Sequence, residues 1–374
     1  MELNILRLII FFLFFGGVST PVAQPANEQS PAAEPGRAPA PLLAAMHYVP
    51  AATETLAFTD WAVLKTALDA EGITGASHED VKLDFLRDAT MDLATASGFG
   101  LAHLDTMHEL WGWDTTDLEW EATLTGGPPV YVLKLREDFP VDDLVALFER
   151  RGFARAQQGE AVVLTHRLDL SVDWLTEPAL FNAAIFPADH VLIHASSPDA
   201  VAAAVAAFDG SAPSWAAAAG YATLAERLAG SVSALAGSGS VMCMPFDPDG
   251  LPRDTGDEAL SALAAALEQG AGVQPFAAMA VAYRLGEEGQ PHGQILFQYA
   301  EPSAAENDLA PRRLLAESGV SLVTGKPYAA TLFTVTDAGV DDDTLAMTVE
   351  PVDGKARRLF DMVYRRDLLF AVCP

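Results

Sequence analysis

The most distinctive stretch of the chain, Trp111 to Trp120 (WGWDTTDLEW), sets three of its six tryptophans among Asp114, Asp117 and Glu119. Indoles beside carboxylates can stack on a sugar ring and hydrogen-bond its hydroxyls. They can equally cap a sheet, because tryptophan is mostly buried in folded proteins. Both readings stand at the level of sequence, and Trp111, Trp113, Asp114, Asp117 and Trp120 are the candidate ligand-binding residues.

Metal chemistry is harder to find. His108-Glu109 opens the H-E-x-x-H pattern in which two histidines one helical turn apart share zinc, but Gly112 holds the second histidine position. His190 and His194 flank the apolar run Val191 to Ile193, which reads as a strand; there they would lie about 13 Å apart, too far for one ion. Asp247-Pro248-Asp249-Gly250 has the middle of a calcium loop, with Pro245 and Gly256 where its essential first and last ligands belong. Asp341, Asp342 and Asp343, at an expected hairpin tip, are the remaining candidates, for weak calcium binding.

The nucleophile and nucleotide signatures fail too. Gly237-Ser238-Gly239-Ser240 has the wrong spacing for a hydrolase elbow and reads as a flexible turn before a strand. Gly319 to Lys326 is one residue too long for a phosphate loop, and Pro327 replaces the magnesium-binding hydroxyl. No cofactor, catalytic residue or nucleotide partner is expected. Lys355, Arg357, Arg358, Arg365 and Arg366 flank an apolar stripe, giving one basic helix that is either a solvated face or a docking point for an acidic partner. Cys243 and Cys373, the only cysteines, lie in the short apolar runs Val241–Met244 and Leu368–Cys373, both read as strands; they are a possible disulfide or two buried thiols.

The elements that must position these residues alternate in kind. Glu54 to Thr59 reads as a strand, and Asp60 caps a helix through Leu68. Helices are expected over His78–Ser97 and His103–Trp111. From Pro129 a strand leads to a helix between Pro140 and Gly152, then two hairpins, Phe153–His166 and Leu180–Ala195. The second half repeats this grammar: strand Val241–Met244, helix Thr255–Gln269, hairpin Phe276–Tyr299 around Glu287-Glu288-Gly289, and hairpin Ala329–Glu350. His194-Ala195-Ser196-Ser197-Pro198 aligns with Gln298-Tyr299-Ala300-Glu301-Pro302, each entering a helix, which suggests two related halves.

At 374 residues, half of them hydrophobic, the chain exceeds one simple domain and can bury a sizeable core. Its 51 acidic against 22 basic residues give a net charge of −29, which excludes nucleic acid as a partner. Arg7 followed by the apolar run Leu8 to Val18 reads as a signal peptide, too short to span a bilayer comfortably, with an uncleaved anchor as the alternative. A Pro/Ala-rich tether follows.

Tyr48-Val49-Pro50 with Leu56 to Leu64, Trp113 to Glu121, the Gly126-Gly127-Pro128-Pro129 strand entry and Gly152-Phe153 carry a family likeness. Over Tyr48 to Phe153 the chain resembles a broad group of exported bacterial proteins known only as domains of unknown function. The resemblance implies an α+β ectodomain behind a signal peptide or anchor and brings no active site.

The expected organisation is a signal peptide or anchor (1–23), a disordered tether (24–41), an N-terminal α+β half with helical cover (42–235) and a C-terminal half (236–374). The fold class is α+β, with mainly antiparallel sheets, helices packed on one face, and two related halves. The expected function is an exported, non-catalytic envelope or cell-surface protein that binds an envelope protein or a glycan. It touches a membrane only if the N-terminal segment is retained. The alternatives are a carboxylate-dependent extracytoplasmic hydrolase and a structural envelope component. Two carboxylates and a histidine converging in one deep pocket would favour the hydrolase; an exposed Trp111 or Trp113 on a shallow face would favour binding.

Overall fold

The computed structural model describes residues 40–91, 104–127, 129–166, 180–244, 261, 268, 272–286, 291–355 and 357–373. The expected signal peptide, most of the tether, the Asp247–Gly250 turn, nearly all of the Thr255–Gln269 helix and the Glu287–Gly289 turn lie outside them.

The fold is α+β. Among the described residues, twelve antiparallel strands form one sheet: β1 (Thr55–Asp60), β2 (Leu118–Thr125), β3 (Val130–Leu135), β4 (Ala154–Gln158), β5 (Ala161–Thr165), β6 (Asn182–Phe186), β7 (Val191–Ala195), β8 (Ser233–Ser238), β9 (Ala278–Leu285), β10 (Pro291–Gln298), β11 (Phe333–Asp341) and β12 (Thr344–Pro351). Their order is β11-β12-β10-β9-β8-β1-β2-β3-β7-β6-β5-β4. The edges are β4, exposed along its whole length, and β11, which carries a bulge between Val335 and Asp337. Polar side chains and a bulge blunt such edges against further pairing.

Both faces of the sheet are buried, which corrects the expectation of helices on one face. Ala57, Leu192, Leu235, Met279 and Val281 point to a core covered by α2 (Trp61–Ala67), α3 (Glu79–Met91), α4 (Leu104–Trp111), α5 (Val141–Arg150), and later α9 (Pro302–Ser318) and α10 (Arg357–Tyr364). Leu56, Phe58, Ile193, Ala234, Ala236 and Ala280 point to a second core under α1 (Pro41–Met46), α6 (Pro198–Phe208) and α7 (Ala219–Arg227). The signal was in the sequence: β6 and β7 are buried at every position, and a strand covered on both sides loses its polar alternation.

Read outward from the central β1–β8 pair, the order is symmetric. Each half is a three-strand meander, β1-β2-β3 or β8-β9-β10, then a helix, α5 or α9, then a hairpin whose second strand pairs with the third meander strand. The first half adds the β4-β5 hairpin. In this scheme Pro140 matches Pro302, since both stand at the start of the helix after the third strand, Pro140 as its cap and Pro302 as its first residue. The aligned segments at Pro198 and Pro302 therefore stand at different places in the two halves. Their likeness reflects the general suitability of proline for a helix start.

Other differences are local. Val241–Met244 is not a strand: the short helix α8 (Gly239–Met242) follows β8, and Gly239 is needed because a Cβ there would overlap the Phe276 carbonyl. The boundary drawn at 235/236 falls inside β8. Leu368–Cys373 is a 3-10 turn, Leu369–Ala371, with a bridge between Met244 and Val372. Beside that bridge Cys243 and Cys373 form a disulfide, Cα–Cα 5.6 Å. Arg312, wholly buried, pairs with Asp308 at 2.7 Å, and its guanidinium donates to the carbonyls of Phe370, Val372 and Gln274. The C-terminus is thus fixed covalently and by a clamp.

Candidate functional site

The structure divides the WGWDTTDLEW residues between core and cleft. Trp111 and Trp113 are buried, and Trp113 stacks on His194 with ring centroids 5.8 Å apart. His194 lies wholly inside this aromatic cluster, and burial lowers its pKa to about 3.

Asp114 and Asp117 are buried at the mouth of a 3-10 turn, Thr115–Asp117, and form a reciprocal capping box. Every carboxylate oxygen has a partner. Asp114 accepts from the Thr116 amide (2.8 Å) and hydroxyl, and from Lys82 Nζ (2.8 Å). Asp117 accepts from the amides of Gly75 (3.0 Å) and Asp114 (3.2 Å) and from Arg136 Nε (3.3 Å). Lys65 Nζ donates to the Thr116 carbonyl.

His108, Asp114 and Asp117 do gather ligand atoms within 4.8 Å of one another. Lys82 and Arg136 already occupy that space, so the cluster is a structural lock rather than a metal centre. The expected ligand role of these four residues gives way to packing, for a physical reason: a buried carboxylate is tolerated when fully hydrogen-bonded and charge-paired.

Trp120 is different. It lines a cleft of about 850 Å³, within the size range of small-ligand sites. The cleft forms where β1 ends, β2 begins, β3 ends and β7 begins, between α1 and the outer side of α2. Val63, Trp120, Val191, Phe208 and Leu285 make its apolar walls, with Tyr48 beside them. Its polar groups are Asp60, Glu119, Lys134, Glu137, Asp189 and His47.

Position follows from register, since Asp60 pairs with Trp120, Trp120 with Lys134 and Lys134 with Val191 across neighbouring strands. Asp60 is the N-cap of α2 and accepts from the Val63 amide at 3.0 Å. Burial, assisted by the nearby Glu119 charge, raises its pKa to about 6 against the pull of that hydrogen bond. Burial also raises Glu119, with Lys134 opposing, and lowers His47. Lys134 donates to Glu137 Oε1 at 2.7 Å and to the Asp189 carbonyl at 2.8 Å.

Sequence reasoning found Trp120 and read Asp60 only as a cap. It missed Glu119 as a site group, Lys134 and Asp189, which come together from separate elements without any motif. Their one common signal is a charged residue at a strand end.

The calcium candidates do not converge. Asp341 pairs with Arg227 at 2.7 Å, Asp342 takes a left-handed turn conformation, and the Asp343 carbonyl accepts from the Tyr299 amide. The basic helix is partly tied down as well: Arg358 donates to the Thr331 carbonyl and Arg366 to the carbonyls of Val241 and Cys243. Among the described residues no helix is long and apolar enough to cross a membrane.

No protein-family model matches the chain, and no curated protein is similar to it. Among solved structures it is similar to one described as crystal form I of TP0453, at 10% identity, covering 86% of this chain and 96% of that one, with a TM-score of 0.34.

Proposed function

We propose that this is an exported, non-catalytic protein of the bacterial envelope that binds a small ligand in the cleft between α1, α2 and the ends of β1, β2, β3 and β7. The cleft carries the reading: it is of ligand size, mostly apolar, and has a few polar groups brought together from separate elements. Export is supported by Arg7, the Leu8–Val18 run and the proline-rich tether. Kinship with exported domains of unknown function belongs to the same proposal. The ligand site moves from Trp111 and Trp113, which are buried, to the cleft that Trp120 lines.

A hydrolase is the second reading, and one observation favours it. Asp60, Glu119 and His47 share the cleft, and Asp60 titrates near 6, where a carboxyl can pass a proton. Against it, the Asp60 carboxylate is engaged as a helix cap, and Lys134 is held by Glu137. Incubating the protein with glycoside, ester and peptide libraries separates the two. Binding without turnover is expected; turnover abolished by Asp60→Asn would establish the enzyme. Cell fractionation should place the protein outside the cytoplasm, and a cytoplasmic pool alone would overturn export.

A further inference from the structure

The cleft holds a charge imbalance that its apolar walls make costly. Four carboxylates, Asp60, Glu119, Glu137 and Asp189, face one lysine and one histidine. Lys134 is already bound to Glu137, and the His47 imidazole is biased toward its neutral form by burial. Asp60 is buried, and its polar partners are the Val63 and Ala62 amides, dipoles rather than charges; no cation lies within ion-pair distance of it among the described residues. Asp60 and Glu119 also repel one another. Acids that line a poorly solvated cleft bind protons more tightly, and a cation placed among them relieves the desolvation of their charges.

The rest of the lining decides which cation. Among the described residues, these carboxylates do not gather with a third ligand group closely enough to hold a metal ion in common. Trp120, Val63, Val191, Phe208 and Leu285 would instead bury a hydrophobic body beside the carboxylates. We propose that the cleft takes an amphipathic organic cation, an ammonium group on an apolar body, with Asp60 and Glu119 as its counter-ions. The proposal rests on the reading of the cleft as a ligand site.

Three probes with one body and different charge test it: 4-phenylbutylammonium, 4-phenylbutanol and 4-phenylbutyrate, titrated calorimetrically into the full chain at pH 7.5. The cation should bind at least tenfold more tightly than the alcohol, and the butyrate most weakly. Asp60→Asn with Glu119→Gln should bring the ratio of cation to alcohol affinity close to one. Asp84→Asn, which removes an exposed acid elsewhere, should leave it unchanged and so exclude a general effect of net charge. If the alcohol binds as well as the cation, the cationic assignment falls while the cleft stands as a ligand site. If none of the three binds, the ligand-site reading falls with it.

Discussion

Asp60 makes the protein less stable than it could be. Its folded-state pKa of about 6 lies above the usual carboxyl value of 3.8, so the folded protein holds that proton more tightly than the unfolded chain does. Between those pH values the unfolded chain has released it, and stability falls as pH rises through the window. At pH 7.5 the cost is roughly 3 kcal/mol at most. Asp60→Asn keeps a good helix cap and removes the charge. It should raise unfolding free energy by about 1–3 kcal/mol at pH 7.5 and leave it nearly unchanged at pH 4, measured by urea titration; a less stable variant at pH 7.5 would contradict the assignment. A destabilising residue in a cleft is what a binding site produces when function and stability compete. The lock beneath behaves oppositely. Lys82→Met strands the buried Asp114 charge and should cost about 3–5 kcal/mol. At Gly75 a Cβ would overlap Asp117 Oδ2 and His108 Nδ1, so Gly75→Ala should cost about 1–3 kcal/mol in the same assay.

At the scale of elements, legibility followed side-chain size. Strands β3 and β5 carry large aliphatic residues and were readable; the exposed β4 was placed by its turn with β5. The central strand β8 (SALAGS) is built of small residues with a serine at each end, so it shows no strand signature, yet it is the seam of the sheet. Its edges are paired by β1 and β9, and its faces are covered by the two cores. The WGWDTTDLEW stretch was read for its chemistry. Its second part begins β2, where a bulge between Leu118 and Trp120 breaks the alternation and sends Trp120 to the face opposite Leu118, and so into the cleft. The remaining cleft groups sit at the ends of different strands, and their convergence is a property of register that no local spacing encodes. The seam also predicts cooperativity. All six tryptophans lie before β8, so fluorescence reports the first half while far-ultraviolet circular dichroism reports both. The two urea transitions should coincide; a clear separation would mean that the halves unfold independently.

At the scale of the whole molecule, the C-terminus is held at two points, by Arg312 and by the Cys243–Cys373 disulfide. The disulfide joins residues 130 apart in sequence, a closure whose chain-entropy value is on the order of 4–5 kcal/mol. Replacing both cysteines with serine should lower the urea midpoint accordingly, whereas reductant should leave the serine variant unaffected. The net charge of −29 gives the cleft a background attraction for cations. On the proposed function, the cleft beside Trp120 is where this molecule meets its ligand. The most direct test is a thermal-shift screen of apolar small molecules, charged and neutral, on the wild-type protein and on Val63→Trp, which fills the cleft. Stabilisation of the wild type that disappears in Val63→Trp is the predicted result; equal stabilisation of both proteins, or none of either, would contradict it.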